Sequence, residues 1–350
     1  MSRKPSPVTA YQWKEAHDSL DATISRCSKI CSQICSVSQV AETSRNDLIS
    51  QLDSARSALT SQLGVSQAML ARARNRLASP VYNLPEEIIF VIFMHVLYHN
   101  DEFRSTTADI SARTFYERLY ALLEVCSVWR AVALSRPALW SLVPVIRGPQ
   151  YFTSDQATAL SLHRSDTVPL DLFVMVPRTI PHPCIKALTQ HTSRFRTVNI
   201  VAEGPCTIQS IMGTLLKNKL SDKLSELSVC ISDLEHVNRF ADEPYYMFPP
   251  NTSDHPLFLR TLKSLTRFRI TGATLDWTQV SFSGRLLELR LHSVILGLDS
   301  SLHNFLRAIS TAPQLQKLEL ISIISYSESN LASPPAVSFP ALQTLIVEDL

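Results

Sequence analysis

Apolar residues recur along this chain in three different rhythms. From about Ala10 to Ser79 the spacing is helical: Leu48, Leu52, Ala55 and Leu59, then Leu63, Leu70 and Leu77, the last three a heptad apart. The register shifts between Leu59 and Leu63, and many partner positions are Ser or Gln. The stretch has no proline and a single glycine, Gly64. This pattern predicts long helices, as a helical hairpin or a weak coiled coil, with a disordered segment as the alternative. Ser79-Pro80 closes it, because proline disfavours α geometry at the residue before it.

The second rhythm runs from Val81 to Val143. Asn83-Leu84-Pro85-Glu86-Glu87 reads as a helix start, with proline at the opening and two carboxylates near the positive end of the helix dipole. Ile88, Ile89, Ile92, Phe93, Val96 and Leu97 then make that helix apolar on most sides. A polar loop is expected from about Asn100 to Arg113. A second helix follows through Phe115, Leu119, Leu122, Cys126, Trp129 and Ala133, stopped by Pro137, with Leu139-Trp140 as an apolar pair beyond it.

The third rhythm fills Pro144 to Leu350. The pattern L-x-x-L-x-L, with other apolar residues allowed, starts at Phe195, Leu224, Leu265, Leu286, Leu315 and Leu342, at a mean interval of about 29 residues. Each copy ends in strict alternation, as in Leu289-Arg290-Leu291 and Leu318-Glu319-Leu320, which predicts a strand with one buried face. Helix-like pieces such as Leu302 to Ile309 lie between copies. One strand and one helix per 20–29 residues is the leucine-rich-repeat signature. The pattern is still running on a strand at Leu350. Repeat arrays need a terminal cap, so a longer product, a capping partner or a degenerate gene product is expected.

Composition narrows the function classes. Of 350 residues 45% are hydrophobic, which suits a soluble chain with a sizeable core. The formal net charge of +2 gives no long-range field for nucleic acid or an anionic membrane. There are only 7 glycines, far below the usual share of about 7%. Phosphate-cradling loops need glycine for close backbone approach, and no G-x-G-x-x-G, Walker loop or G-x-S-x-G elbow occurs. Cysteines number 7, with no Cys-x-x-Cys pair, which favours reduced thiols and a cytoplasmic or nuclear location. The N-terminal residues Met1 to Leu20 have no apolar core of a secretory signal, and the run Ile88 to Val96 is too short to span a bilayer.

Three groups invite a chemical reading. Cys27, Cys31 and Cys35 share one helix face, but zinc sites gather four ligands, so a small apolar stripe is the preferred reading. His95 and His99 lack the glutamate of H-E-x-x-H between them. His182-Pro183-Cys184 has no evident orienting acid. No catalytic, cofactor-binding or metal residues are assigned, and the chain is expected not to be an enzyme.

The ordered set Leu84-Pro85-Glu86-Glu87-Ile88, Ile92-Phe93, Val125-Cys126-x-x-Trp129-Arg130-x-x-Ala133 and Pro137-x-Leu139-Trp140 resembles the F-box. In layout the chain is similar to the F-box-like proteins expanded in mushroom-forming fungi. Those combine a helical N-terminal stretch, an F-box with a variable insert and degenerate leucine-rich repeats. The resemblance implies a multi-domain chain: a helical, coiled-coil-like region over 1–80, a small all-α F-box over 81–143, and an irregular α/β leucine-rich-repeat-like solenoid over 144–350. Irregularity is expected because the position that holds Asn or Cys in regular repeats is here Glu203, Ser232, Ala273, Val294, Ile323 and Leu350.

The resemblance further implies a substrate-recognition adaptor of a Skp–cullin–F-box ubiquitin ligase, acting in ubiquitin-dependent protein degradation. Its partners would be a Skp-type adaptor, through it a cullin–RING ligase, and a protein substrate, with no nucleic acid, membrane or cofactor. Leu84, Pro85, Ile88, Ile92 and Trp140 are the expected adaptor contacts. Leu122, Cys126 and Trp129 are the expected F-box core. The polar strand residues Arg196, Glu226, Arg267, Arg269, Glu288, Arg290, Lys317 and Glu319 form the expected substrate face, whose mixed signs suit a protein rather than a polyanion. The alternative is a protein-interaction scaffold that uses the same surfaces without a ligase link.

Overall fold

The computed structural model describes residues 7–36, 42–98, 108–146, 155–176, 187–218, 220, 223–232, 246–327 and 337–349. The chain divides into two compact units, Met1–Ile89 and Phe90–Leu350.

The first unit is built on two long helices, α1 (Pro7–Ser36) and α2 (Glu42–Ala78). Their composition explains both their length and their exposure. Ala, Leu, Gln, Arg and Ser carry little helix penalty and proline is absent from their interiors, so nothing breaks them. The apolar residues are too thinly spread to bury a face, and no described residue of either helix is buried. A 3₁₀ turn at Pro80–Asn83 follows, and then helix α3 (Glu86–Tyr98), opened by the Pro85 carbonyl accepting from the backbone of Ile88 and Ile89.

The second unit begins within α3. Helix α4 (Ala108–Val125) already starts inside the stretch expected as a polar loop. The single helix expected through Ala133 is two: α4 ends at Val125, and α5 covers Ser127–Ser135. The break has a local cause. Cys126 is extended (φ −165°, ψ 169°), and its sulfur accepts from the Trp129 amide at 3.4 Å, capping α5 as a serine would. Pro137 ends that run in a 3₁₀ turn, Pro137–Trp140.

From there, among the described residues, the chain enters an eight-stranded parallel sheet whose main strands follow one another in chain order: β1 (Leu142–Ile146), β2 (Leu170–Val176), β3 (Phe195–Ala202), β4 (Glu226–Ile231), β5 (Arg267–Thr271), β6 (Glu288–His292), β8 (Lys317–Ile321) and β10 (Thr344–Glu348). Two short strands, β7 (Ile295–Leu298) and β9 (Ile324–Tyr326), pair separately. Each L-x-x-L-x-L copy read from the sequence lies on a strand from β3 to β10, but β1 and β2 precede them and are not among those copies. β1 is buried along its whole length, so it shows a continuous apolar run rather than alternation.

The alternating residues Val198/Ile200, Leu227/Val229, Phe268/Ile270 and Leu289/Leu291 join one core. That core also takes in the buried faces of helices α7 (Pro205–Lys217), α8 (His255–Leu262) and α9 (Asp299–Ser310). Helix α6 (Asp155–Arg164) lies between β1 and β2. Full burial of each such Leu, Ile, Val or Phe contributes about 1.5–3 kcal/mol. The uneven repeat interval has a structural counterpart: the short connection from β5 to β6 contains no helix and fills the core with Trp277, Val280 and Phe282 instead. Trp277 meets Phe305 of α9 edge-on at 4.9 Å.

Candidate protein-interaction surfaces

Helix α3 is apolar nearly all round, so one side can be buried while another is left in water. On the buried side Phe93 meets Trp129 edge-on at 5.1 Å, and Leu97, Leu119, Ala133 and Leu139 are inaccessible. Polar clamps hold the helices. Arg118 donates to the Val96 carbonyl at 3.1 Å, and Arg130 to the Leu123 carbonyl at 3.0 Å. On the open side Val91, Ile92 (38% exposed) and Val96 stand in solvent, and Val125 and Val128 are exposed at the α4–α5 junction. Leu84, Pro85 and Ile88, in the first unit, are exposed as well.

Of the expected adaptor contacts, Leu84, Pro85, Ile88 and Ile92 are therefore accessible. Trp140 is not. It is 1% exposed, its indole N–H donates to the Ala133 carbonyl at 2.9 Å, and the Arg164 guanidinium lies over its ring at 5.5 Å. A buried Trp with its one donor satisfied is a core residue. Of the expected core residues, Leu122 is buried, Trp129 is partly buried against Phe93, and Cys126 is the α5 cap. Val91 on α3 is not singled out by the sequence, because spacing alone does not say which side of an all-apolar helix is covered; Val125 enters only as part of the F-box-like set, and Val128 on α5 not at all.

The second surface is the polar face of the sheet. Register places Glu226 beside Arg267, Arg267 beside Glu288, and Glu288 beside Lys317, while Arg269, Arg290 and Glu319 form the next row. Opposite charges thus meet across strands in the first row; in the second, Arg269 stands beside Arg290, and both turn onto Glu288. Arg269 forks onto Glu288, Nε to Oε1 at 3.0 Å and Nη2 to Oε2 at 3.2 Å. Arg267 bonds Glu226 and approaches Glu288 at 3.5 Å. Arg290 bonds Glu288 and Glu319, the latter at 3.0 Å, and Lys317 reaches Glu319 at 2.7 Å. Arg196 forks onto Asp171 on the neighbouring strand, at 2.8 to 3.2 Å. All eight expected substrate-face residues lie on this face, as one linked network plus the Arg196–Asp171 pair.

The network changes the electrostatics of each member. Burial alone would raise the Glu288 carboxyl, but hydrogen bonds and charge from Arg269 and Arg290 hold it below the usual carboxylate range. Burial lowers His292; Glu319 and Glu348 oppose that shift and Arg290 reinforces it. Glu288 and Glu319 are themselves buried beneath their cationic partners. The face is thus compensated from within, and it presents fixed, alternating hydrogen-bonding groups rather than a bare basic patch.

A backbone ladder stands where side-chain amides were missed. The residues that follow β5, β6, β8 and β10 are Gly272, Ser293, Ser322 and Asp349, and all are left-handed, with φ of 71°, 50°, 51° and 50°. The amides of the first three each donate to the neighbouring strand, to His292, Ile321 and Glu348 carbonyls, at 2.9 Å. This turn drives the next residue, Ala273, Val294 or Ile323, into the core. Apolar plugs and main-chain bonds here do the work expected of an Asn ladder. The recurring small or Asx residue directly after these four strands was the available signal.

Cys27, Cys31 and Cys35 are exposed along α1, and His95 is exposed on α3. His99, His182 and Cys184 lie outside the described residues. Among the described residues no helix is long and apolar enough to cross a membrane. No protein-family model, curated protein or solved structure matches this chain.

Proposed function

We propose that the chain is the substrate-recognition adaptor of a Skp–cullin–F-box ubiquitin ligase. In this reading an F-box built on α3, α4 and α5 docks a Skp-type adaptor, and an irregular leucine-rich-repeat-like array binds a protein substrate. The observation that carries the proposal is the row of exposed apolar residues on α3, anchored from behind by Phe93 and Leu97. A rigid helix with contiguous apolar residues in water is a docking element, because such patches are rare on monomer surfaces and mark interaction sites. A few such anchors dominate an interface when they are desolvated.

The strand order supports the second half of the proposal. Strands added one at a time in chain order, in matching register, build a surface by repetition, as solenoids do. Its charge-compensated polar face suits a protein ligand that offers both donors and acceptors.

Co-precipitation with a Skp-type adaptor tests the proposal. Wild type is expected to retain the adaptor, and Leu84→Ala with Pro85→Ala to lose most of it. No retention by wild type, or undiminished retention by the double variant, would count against the reading.

A further inference from the structure

Helix α2 carries a seam that no described residue of its own unit covers. Ile49, Leu52, Leu59, Leu63, Leu70 and Leu77 alternate at three- and four-residue steps, completed by Arg56, Ser66 and Ala73. The apolar members are exposed, from 40% at Leu52 to 70% at Leu77. Taking Ile49 and Arg56 in place of Leu48 and Ala55 removes the register shift at Leu59–Leu63, and a sustained 3–4 alternation is the seam of a coiled coil.

We infer that α2 pairs antiparallel with α2 of a second copy of this chain. The polar members of the seam decide the orientation. A parallel pair would set Arg56 against Arg56 and Ser66 against Ser66 inside the interface, burying like charge. The antiparallel register instead sets Arg56 beside the small Ala73, whose methyl leaves room for the arginine stem. The same register puts Leu52 opposite Leu77, Leu59 opposite Leu70, and Leu63 opposite Ser66. It also brings Asp53, at the acidic end of the seam, beside Arg74 of the other copy. On one helix those two lie about 30 Å apart, so only a second helix can pair them. The interface is isologous, with each contact occurring twice and the assembly closed at two chains.

The test measures association and orientation in the full chain. By analytical ultracentrifugation at micromolar concentration, wild type is expected to be a dimer. Leu59→Glu with Leu70→Glu should weaken it at least about 100-fold, with circular dichroism of the sheet unchanged. Asp53→Arg should weaken it about fivefold, because a favourable pair becomes a repulsive one twice over, and adding Arg74→Asp should restore it. A monomeric wild type, as an intramolecular α1–α2 hairpin would give, overturns the inference. So does a dimer indifferent to the glutamates. Failure of Arg74→Asp to rescue Asp53→Arg overturns the antiparallel register.

Discussion

Ser322 holds a left-handed backbone, φ 51°, directly after β8, where an L side chain costs about 1–2 kcal/mol. Glycine is free of that cost but adds freedom to the unfolded chain. Ser322→Gly is therefore expected to raise the urea midpoint slightly, by up to about 1 kcal/mol in stability, and Ser322→Val to lower it by about 1–2 kcal/mol. Tyr116 makes a second local test. Its hydroxyl donates to the Leu142 carbonyl at 2.6 Å and meets the Ser161 hydroxyl at the same distance. Burial pushes its phenol far above the ordinary value of about 10. The unfolded chain ionises there and the folded chain does not, so stability is lost as pH rises above about 10. Tyr116→Phe should reduce the alkaline loss seen in melts against pH, leaving the shares of Tyr98, Tyr120 and Tyr246, which burial also raises. At neutral pH it should cost about 1–3 kcal/mol, because the Leu142 carbonyl and Ser161 lose a buried partner.

At the scale of elements, alternation was readable where one strand face meets solvent and unreadable where neither does. Leu289-Arg290-Leu291 announces β6, and Leu318-Glu319-Leu320 announces β8. β1, Leu142–Ile146, has no polar face to alternate with and was missed. The α4–α5 break was also missed, because helical spacing continues across Cys126 while the backbone does not. Trp140 was misplaced for a related reason: sequence shows an apolar residue but not which neighbour claims it. The polar face of the sheet has its own acid test. His292 is lowered in the folded chain, so the unfolded chain takes up a proton first, and stability falls as pH drops below about 6.5. Glu288 is lowered too, so its contribution, present above its unfolded value, is lost as pH falls through the lower folded one. Thermal melts from pH 7 to pH 3 should show both losses, and His292→Gln should shrink the first without touching the second, the remainder belonging to His191, which burial and Arg194 also lower. Leu289→Ala, emptying a fully buried core position, should cost about 2–5 kcal/mol at any pH in that range.

For the whole molecule, the two units follow from two ways of placing apolar residues. In α1 and α2 they are sparse and exposed; in the sheet they alternate densely and close a core. Deleting residues 1–78 should therefore leave the thermal midpoint of the sheet within about 2 °C of the full chain, followed by circular dichroism. The helical start and repeated strands were legible because each copy repeats a physical rule. Which side of α3 stays in water was not, since it depends on what packs behind that helix. A calorimetric titration of the full chain with a purified Skp-type adaptor puts the proposed docking role of that side to the test. Saturable binding at a 1:1 ratio is expected, weakened at least about 100-fold by Ile92→Asp with Val96→Asp, because each loses an apolar anchor of about 1.5–3 kcal/mol. Absence of binding by the folded wild type, or unchanged affinity in the double variant, would contradict it.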